Sequence, residues 1–463
     1  MTSLCMQEDC LPGHRSRRGC RNRRRKVEMK KWIMTSIGMI WAGLALNMVD
    51  IHQAVAQMPS AETDDPHYQY ADNKTCGTCH QEKLRDYQSS MMGKTPYDKV
   101  FRQFYAAVNA KGEPDGIGFR AFKPNGPSDC ASCHTPDVVL DAGHELSLEE
   151  AIKRGSKGIS CDYCHTIKDV KVIYDPDSKR YDTRLWKMVT RARGNVKRGP
   201  LKDAKSPFHG TKFSPIHTRS EFCAACHNNQ EHLLSLDTYH VWKQAYDKGV
   251  VKQTCQQCHM PVGGKDRRIA IGGPVRPASQ IHRHFFHGGH DADMVKKAAT
   301  MKIETSNDAN GLVVKVDVTN SGAGHTFPGA ATLRNVLLVV DALDDNGKPL
   351  AHVGSKKELL PPLAGMGKTP RDFGGHVGAM FARPFATKTG KTPTGGFNAD
   401  HVLFDTRIYP RQTAHREFHF AKSASSHGRV RVRLIYRWAF KPLVDKKGWK
   451  MDDIVIFDRK LSS

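Results

Sequence analysis

The sequence predicts an α+β protein in which a mostly α-helical, loop-rich N-terminal domain is followed by a C-terminal antiparallel β-sandwich. Two observations support this prediction. All 13 cysteines lie at or before Cys258, among short amphipathic stretches separated by segments rich in Gly, Pro and Lys. Beyond about residue 300, apolar and polar residues alternate with a period of two, which is typical of half-buried strands.

The first residues have the features of an export signal that begins at Met29. Two lysines follow this methionine, then an apolar stretch at 32–49 and the Ala54-Val55-Ala56 motif, which is the order of a secretory signal peptide. We predict residues 1–56 as leader and signal peptide, with Sec-type export to the periplasm or the cell exterior and cleavage after Ala56. An uncleaved membrane anchor is the alternative. Cleavage leaves 61 Lys and Arg against 43 Asp and Glu, a net charge of +18.

Ten of the cysteines occur in five Cys-x-x-Cys-His motifs. Two thiols at this spacing reach the two vinyl groups of one haem as thioethers, and the following histidine becomes the proximal ligand of the iron. A zinc or redox Cys-x-x-Cys site does not explain why histidine follows every time. The predicted cofactors are therefore five covalently attached haem c groups. The attachment cysteines are Cys76, Cys79, Cys130, Cys133, Cys161, Cys164, Cys223, Cys226, Cys255 and Cys258, and the proximal ligands are His80, His134, His165, His227 and His259.

An iron with two axial imidazoles needs a second histidine from elsewhere in the chain. For each candidate the alternative is a solvated or propionate-bound histidine, and His282, His287 and His290 compete with His284. A methionine ligand would raise the potential of its haem, although methionines also pack against porphyrin. The candidate distal ligands are His217, His284, His325, His209, His144 and Met92.

Regular structure is predicted around these sites. The close spacing of motifs two and three, and of four and five, predicts two haem pairs and one separate haem. Residues 354–400 are predicted as a long insertion or loop. Arginines alternate with apolar residues at 429–437, which indicates either a solvated strand face or a docking surface for an acidic partner or haem propionates. Short helices are predicted at 84–88, 97–108, 148–154 and 238–248, and strands at 312–318, 336–343 and 429–437.

The five motifs, the phrase SPIHTRSEFC at 214–223 and the HFFHGG phrase at 284–289 resemble exported multihaem cytochromes c. This group is related to the tetrahaem cytochrome of ammonia oxidisers, hydroxylamine oxidoreductase and pentahaem nitrite reductase. The resemblance implies a pentahaem cytochrome c domain at 57–298, followed by the β-sandwich at 299–463. The NSGAGH segment that ends at His325 resembles a β-domain of some members, which implies a haem ligand there. Where relatives have a histidine after the first motif, this chain has Met92.

Two classes of function fit these features. The first is electron transfer between redox partners in a respiratory chain, without enzymatic activity. The basic mature chain would attract redox proteins with acidic docking surfaces; no nucleic-acid motif is present, and peripheral membrane association stays open. The alternative is a multihaem oxidoreductase acting on a small nitrogen or sulfur compound, of the hydroxylamine or nitrite type, at a haem with an open distal site. The Cys-x-x-Cys-Lys attachment of pentahaem nitrite reductases is absent.

Overall fold

The structure is a computed structural model that describes residues 64–142, 145–177, 180–182, 184–228, 236–422 and 428–462. The predicted start, signal peptide and cleavage site, as well as His144, lie outside these residues. Within the described chain, residues 206–210 form a small unit distinct from the larger unit up to residue 205 and from residue 211 onward. No helix in the described ranges is both long enough and apolar enough to cross a membrane.

The N-terminal part consists of short helices joined by loops, as predicted, and the four predicted helices are present within a few residues. Side-chain caps start several of them: Ser147 and Thr254 form capping boxes, and Ser160 accepts the N–H of Tyr163, which satisfies donors that a helix start leaves free. The helices are α1 Asn73–Gly77, α2 Gln81–Ser89, α3 Lys99–Ala106, α4 Phe119–Phe122, α5 Asp129–His134, α6 Pro136–Ala142, α7 Leu148–Lys153, α8 Cys161–Thr166, α9 Leu185–Met188, α10 Glu221–His227, α11 Thr238–Asp247, α12 Cys255–His259, α13 Ala292–Lys296 and, near the C-terminus, α14 Lys441–Lys447.

Three two-stranded ribbons lie between the third and fourth motifs. They pair β1 with β4, β2 with β3 and β5 with β6. The strands are β1 Ile167–Val170, β2 Tyr174–Asp175, β3 Arg180–Tyr181, β4 Val189–Arg191, β5 Val196–Gly199 and β6 Gly210–Phe213.

The C-terminal part is an antiparallel β-sandwich, and the predicted fold class is confirmed. One sheet has the strand order β10-β9-β14-β15, and the other has the order β13-β8-β7. Alternate residues of β8, such as Val314 and Val316, pack against Leu338 and Leu434 of the facing sheet, and all four side chains are fully buried. The strands are β7 Thr300–Asn307, β8 Gly311–Thr319, β9 Asn335–Asp344, β10 Gly378–Ala382, β11 Phe385–Ala386, β12 His401–Val402, β13 Thr413–Ala421, β14 Gly428–Arg437 and β15 Ile454–Ser462.

The prediction of a long insertion or loop at 354–400 is wrong in part. This segment contributes β10, which pairs with β9. Its apolar residues Leu360, Leu363 and Phe373 form a second core against the outer face of β9 and β14. The four-stranded sheet is therefore covered on both faces, which explains why apolar residues in β9 run without alternation.

Three of the four arginines of β14 are paired within the sandwich, and Arg429 is exposed. Arg431 binds Asp458 at 2.7 Å and Arg433 binds Asp341 at 2.7 Å on the neighbouring strands. Arg437 is buried, with Asp453 at 3.0 Å and the carbonyl oxygen of Ala364 at 2.7 Å. Of the two interpretations of this face, a free cationic docking surface therefore has little support.

Residues on both sides of the predicted domain boundary at 298/299 are in direct contact. The fully buried Lys447 of α14 donates to the Asp115 carboxylate at 2.9 Å and to the carbonyl oxygen of Val108 at 3.1 Å. Trp449 donates its indole N–H to Gln103 at 2.9 Å. The boundary itself stays a prediction.

Candidate haem-binding site

The Cys-x-x-Cys-His motifs occupy or end short helices: α5, α8, α10 and α12 each contain a whole motif, and the first motif begins in α1. One helical turn brings its two thiols and its histidine to neighbouring positions. None of the ten motif cysteines is joined in a disulfide in the described chain, as thioether attachment to haem requires.

Three of the five motif histidines have the protonation pattern that iron ligation requires. Nδ1 of His80 lies 3.0 Å from the carbonyl oxygen of Ile269, and Nδ1 of His165 lies 2.6 Å from that of Arg198. Nδ1 of His259 lies 2.5 Å from the carbonyl oxygen of His287. A carbonyl oxygen only accepts, so Nδ1 must carry the proton, and Nε2 keeps the lone pair that binds a metal.

The second motif histidine is held in another way. Nδ1 of His134 lies 2.5 Å from the hydroxyl of Thr95, and the ring of Phe101 stacks on the imidazole at 3.8 Å between centroids. Burial, with a smaller contribution from His227, lowers the pKa of His134 to about 4. Its imidazole is therefore neutral at physiological pH, as a metal ligand must be.

Contacts between the motifs connect regions that are distant in sequence. The thiol of Cys161 lies close enough to that of Cys76 to hydrogen-bond with it, and Cys223 and Cys255 have the same relation. Ser220, which precedes motif four, accepts the backbone N–H of Cys255 at 3.0 Å. Motif three therefore contacts motif one, and motif four contacts motif five; the pairing of the haems stays a prediction.

Two candidate distal histidines lie beside His165. Imidazoles that bind one metal from opposite sides at about 2.0 Å each have ring centroids roughly 6 Å apart. The ring of His284 lies 6.3 Å from that of His165 at 25° between planes, and the ring of His217 lies 5.7 Å away at 17°. By ring separation alone, either His284 or His217 could be the distal ligand opposite His165.

The hydrogen bonds of the two rings separate them. Nδ1 of His284 lies 3.2 Å from the carbonyl oxygen of His282, so its Nε2 is free for iron. In His217 it is Nε2 that faces a carbonyl, that of Cys164 at 3.4 Å, while its buried Nδ1 has no partner in the described chain. Burial, and next the charge of His165, lowers the pKa of both rings to about 3. His284 is the better fit.

The segment that carries His284 is anchored to α2. Arg283 forms two hydrogen bonds with the buried carboxylate of Asp86, at 2.7 and 2.6 Å, and the backbone N–H of His284 donates to the same group at 3.0 Å. Burial is the largest influence on Asp86 and raises its pKa, but the Arg283 guanidinium, the N–H of His284 and the charge of Lys83 together hold the pKa below its usual range. A charged Asp86 therefore fixes the direction of the His284 ring.

His325 faces the fifth motif histidine. The ring of His325 lies 6.4 Å from that of His259, at 10° between planes. Nδ1 of His325 lies 2.9 Å from the carbonyl oxygen of Thr326, which again leaves Nε2 free. Burial lowers the pKa of His325 to about 4. This pair fits one iron by separation, by orientation and by protonation.

The sandwich domain positions His325 through a tightly bonded loop. The fully buried Asn320 donates to the carbonyl oxygens of His325 at 2.8 Å and of Ile408 at 3.0 Å. A Cβ at Gly329 would come within 2.4 Å of the His325 ring, so the loop needs glycine at this position. These two residues give a physical reason for the NSGAGHTFPG sequence.

The remaining candidates have less support from the geometry. His209 lies in the separate unit at 206–210, where its Nδ1 is 3.0 Å from the carbonyl oxygen of Gly210. Met92 begins a 3-10 turn that leads to Thr95, on the Nδ1 side of His134. His209, Met92 and His144 as ligands stay predictions.

Arg334 is a residue that the sequence did not single out. Its charge contributes, after burial, to the lowered pKa values of His227, His290 and His325, each about 4. A guanidinium among these rings is a suitable partner for a haem propionate. An isolated arginine has no motif that would have indicated this position.

The site has paired thiols, histidines whose proton is held on Nδ1, and pairs of imidazoles at the span of one iron. These features fit covalently bound haem c and define a multihaem c-type cytochrome, a redox protein. Residues 75–166 match the profile of a family described as "Cytochrome c554 and c-prime". The fold is similar to that of a penta-haem cytochrome c552 from Thermochromatium tepidum. The two sequences are 20% identical, and the structures align with a TM-score of 0.58. The alignment covers 85% of this chain and 99% of that one. No curated protein sequence matches the chain.

Proposed function

We propose that this chain is an exported five-haem c-type cytochrome that transfers electrons between redox partners in a respiratory chain. The observation that carries the proposal is the hydrogen bonding of the motif histidines His80, His165 and His259, each with Nδ1 on a backbone carbonyl. A disulfide site built from the same cysteines has no use for this arrangement, whereas it orients a histidine that binds a metal through Nε2, as an axial haem ligand does.

Haem c, when bound, supplies an iron that alternates between two oxidation states; the chain holds and shields it. We assign His284 as the distal ligand opposite His165 and His325 as the one opposite His259. Support for sequential transfer comes from the thiol contacts between motifs one and three and between four and five. Cys76 and Cys161, and likewise Cys223 and Cys255, would hold two different haems at neighbouring attachment points, which would favour transfer between those haems.

Haem content and coordination test the proposal together. The intact mass of the mature protein should exceed that of the polypeptide by five haem groups, and a Cys255→Ser/Cys258→Ser variant should retain four. Ferric EPR should be dominated by low-spin signals, and dithionite should reduce all haems. A mass that accounts for fewer than five haems refutes the number, and an N-terminus that keeps residues 29–56 refutes cleavage after Ala56.

A second candidate is a multihaem oxidoreductase acting on a small nitrogen or sulfur compound. It is favoured by Met92, which stands where the resemblance implies a histidine ligand. The same EPR experiment separates the two functions, because an open haem gives a high-spin ferric signal that changes when nitrite or hydroxylamine is added. A purely low-spin protein that ignores both compounds excludes this second function.

A further inference from the structure

A hairpin at residues 267–276 presents apolar side chains to solvent beside the first haem motif. The backbone N–H of Arg276 donates to the carbonyl oxygen of Arg267 at 2.8 Å, and the N–H of Gly273 closes the tip on Ala270 at 3.0 Å. On this hairpin Ile271 is 59% exposed and Val275 is 60% exposed. Large apolar side chains exposed together on a rigid loop are typical of contact sites.

The hairpin is bonded to the motif itself. Its Ile269 carbonyl accepts from Nδ1 of His80 at 3.0 Å, and the N–H of Ile271 donates to the carbonyl oxygen of Cys79 at 2.9 Å. Just before the hairpin, the N–H of Lys265 donates to Glu82 of α2 at 3.1 Å. Since Nδ1 of His80 faces the hairpin, Nε2, which serves the iron, points away from it.

Basic residues surround the apolar tip. Lys265, Arg267 and Arg268 are exposed, and the acidic residue among them is Asp266, whose carboxylate is 3.8 Å from Arg268 with both groups half exposed. An ion pair of this kind is weak and screened. The guanidinium of Arg276 is ion-paired with the carboxylate of Asp203 at 3.0 Å and does not add to the surface charge. The carboxylate of Glu82 also lies here, but it is ion-paired with Arg283 at 3.7 Å and with Lys83 at 3.9 Å, so the three cations of the loop give the surface a positive potential.

We propose that this surface, the 267–276 hairpin with Lys265, docks an acidic one-electron carrier protein that exchanges electrons with the haem of the first motif. The inference rests on the proposed function. An apolar centre with a charged rim is the usual anatomy of a protein interface, and transient redox complexes are small. Complementary charge raises their association rate rather than their final affinity.

A lipid surface is the competing occupant. The hairpin offers it two large apolar side chains, Ile271 at the tip and Val275 on the returning arm opposite Arg268, which is little insertion area compared with an amphipathic helix. The protein partner is therefore favoured.

Stopped-flow reduction of the five-haem protein by an acidic ferredoxin tests the proposal. Lys265→Glu/Arg268→Glu should lower the second-order rate constant ~10-fold at low ionic strength, and the difference should shrink in high salt. Lys388→Glu/Lys391→Glu, which makes the same charge change on exposed residues of the sandwich domain, should change the rate less than ~2-fold. Ile271→Ser should slow the reaction at both salt concentrations.

Four results would overturn the inference. The first is an equal effect of the hairpin and control double variants, which would mean that net charge alone steers the ferredoxin. The second is binding of the wild type to phosphatidylglycerol vesicles that is lost in Ile271→Ser, which would assign the surface to a membrane. The third is a wild-type chain that dithionite fails to reduce, which refutes the proposed function itself. Normal dithionite reduction with unchanged ferredoxin rates refutes the docking surface alone.

Discussion

Replacing His325 by alanine should open one haem of five. The His259 and His325 rings lie 6.4 Å apart and nearly parallel, close to the span of roughly 6 Å that two ligands of one iron require. Removing one ring leaves that iron with the proximal histidine alone. About one fifth of the total ferric haem should then change from low spin to high spin, measured by integrated EPR and by the charge-transfer band in the visible spectrum.

The matched control is His415→Ala, which removes an imidazole from the same domain where the side chain is 75% exposed. The control should leave the spin state unchanged. Imidazole added to His325→Ala should restore the low-spin signal, because it fits the volume that the side chain leaves. A His325→Ala protein that stays entirely low-spin without imidazole would refute the ligand assignment, whatever its stability.

Three further predictions concern stability and potential. Lys447→Met leaves the Asp115 carboxylate buried without its partner, so urea unfolding should show a loss of about 3–5 kcal/mol, whereas the exposed Lys446→Met should change stability little; equal effects would contradict this. Burial raises the pKa of Glu149, but hydrogen bonds from Arg120, the backbone and Tyr105 together lower the pKa to about 2, so its stabilising contribution is complete above pH 4.5 and disappears towards pH 2. Glu149→Gln should therefore flatten the acid limb of the melting temperature, and an unchanged limb would refute this. Arg334→Gln should lower at least one haem potential by on the order of tens of millivolts, because a cation nearby favours the reduced iron; unchanged potentials in a redox titration would show that the charge is screened.

Local features of this chain were predictable from its sequence. The five motifs identify the attachment thiols and the proximal histidines, because haem attachment requires two cysteines and a histidine at this spacing. The alternation in 312–318 and 429–437 predicted β8 and β14 because one face of each strand must be buried. The strand β10 escaped prediction because Gly378–Ala382 is covered on one face by the 354–373 segment and on the other by the core between the sheets, so it shows no alternation.

Long-range features could not be predicted in the same way. Cys76 and Cys161 are 85 positions apart, and nothing local to either motif indicates that their thiols meet. The carbonyl oxygens that orient His80 and His165 belong to Ile269 and Arg198, whose side chains take no part. The choice between His284 and His217 depends on which ring nitrogen meets a carbonyl, which only three-dimensional structure reveals.

The position of His325 in the β-sandwich has a consequence for biosynthesis. His259 emerges from the ribosome well before the loop that Asn320 holds in place, and that loop forms only when strands as late as β13 have paired. During this interval an iron at the fifth motif would resemble that of a peroxidase, with one histidine and an accessible face. The sandwich would then act as the closing step of maturation, and a chain truncated before residue 300 would differ in reactivity as well as in stability.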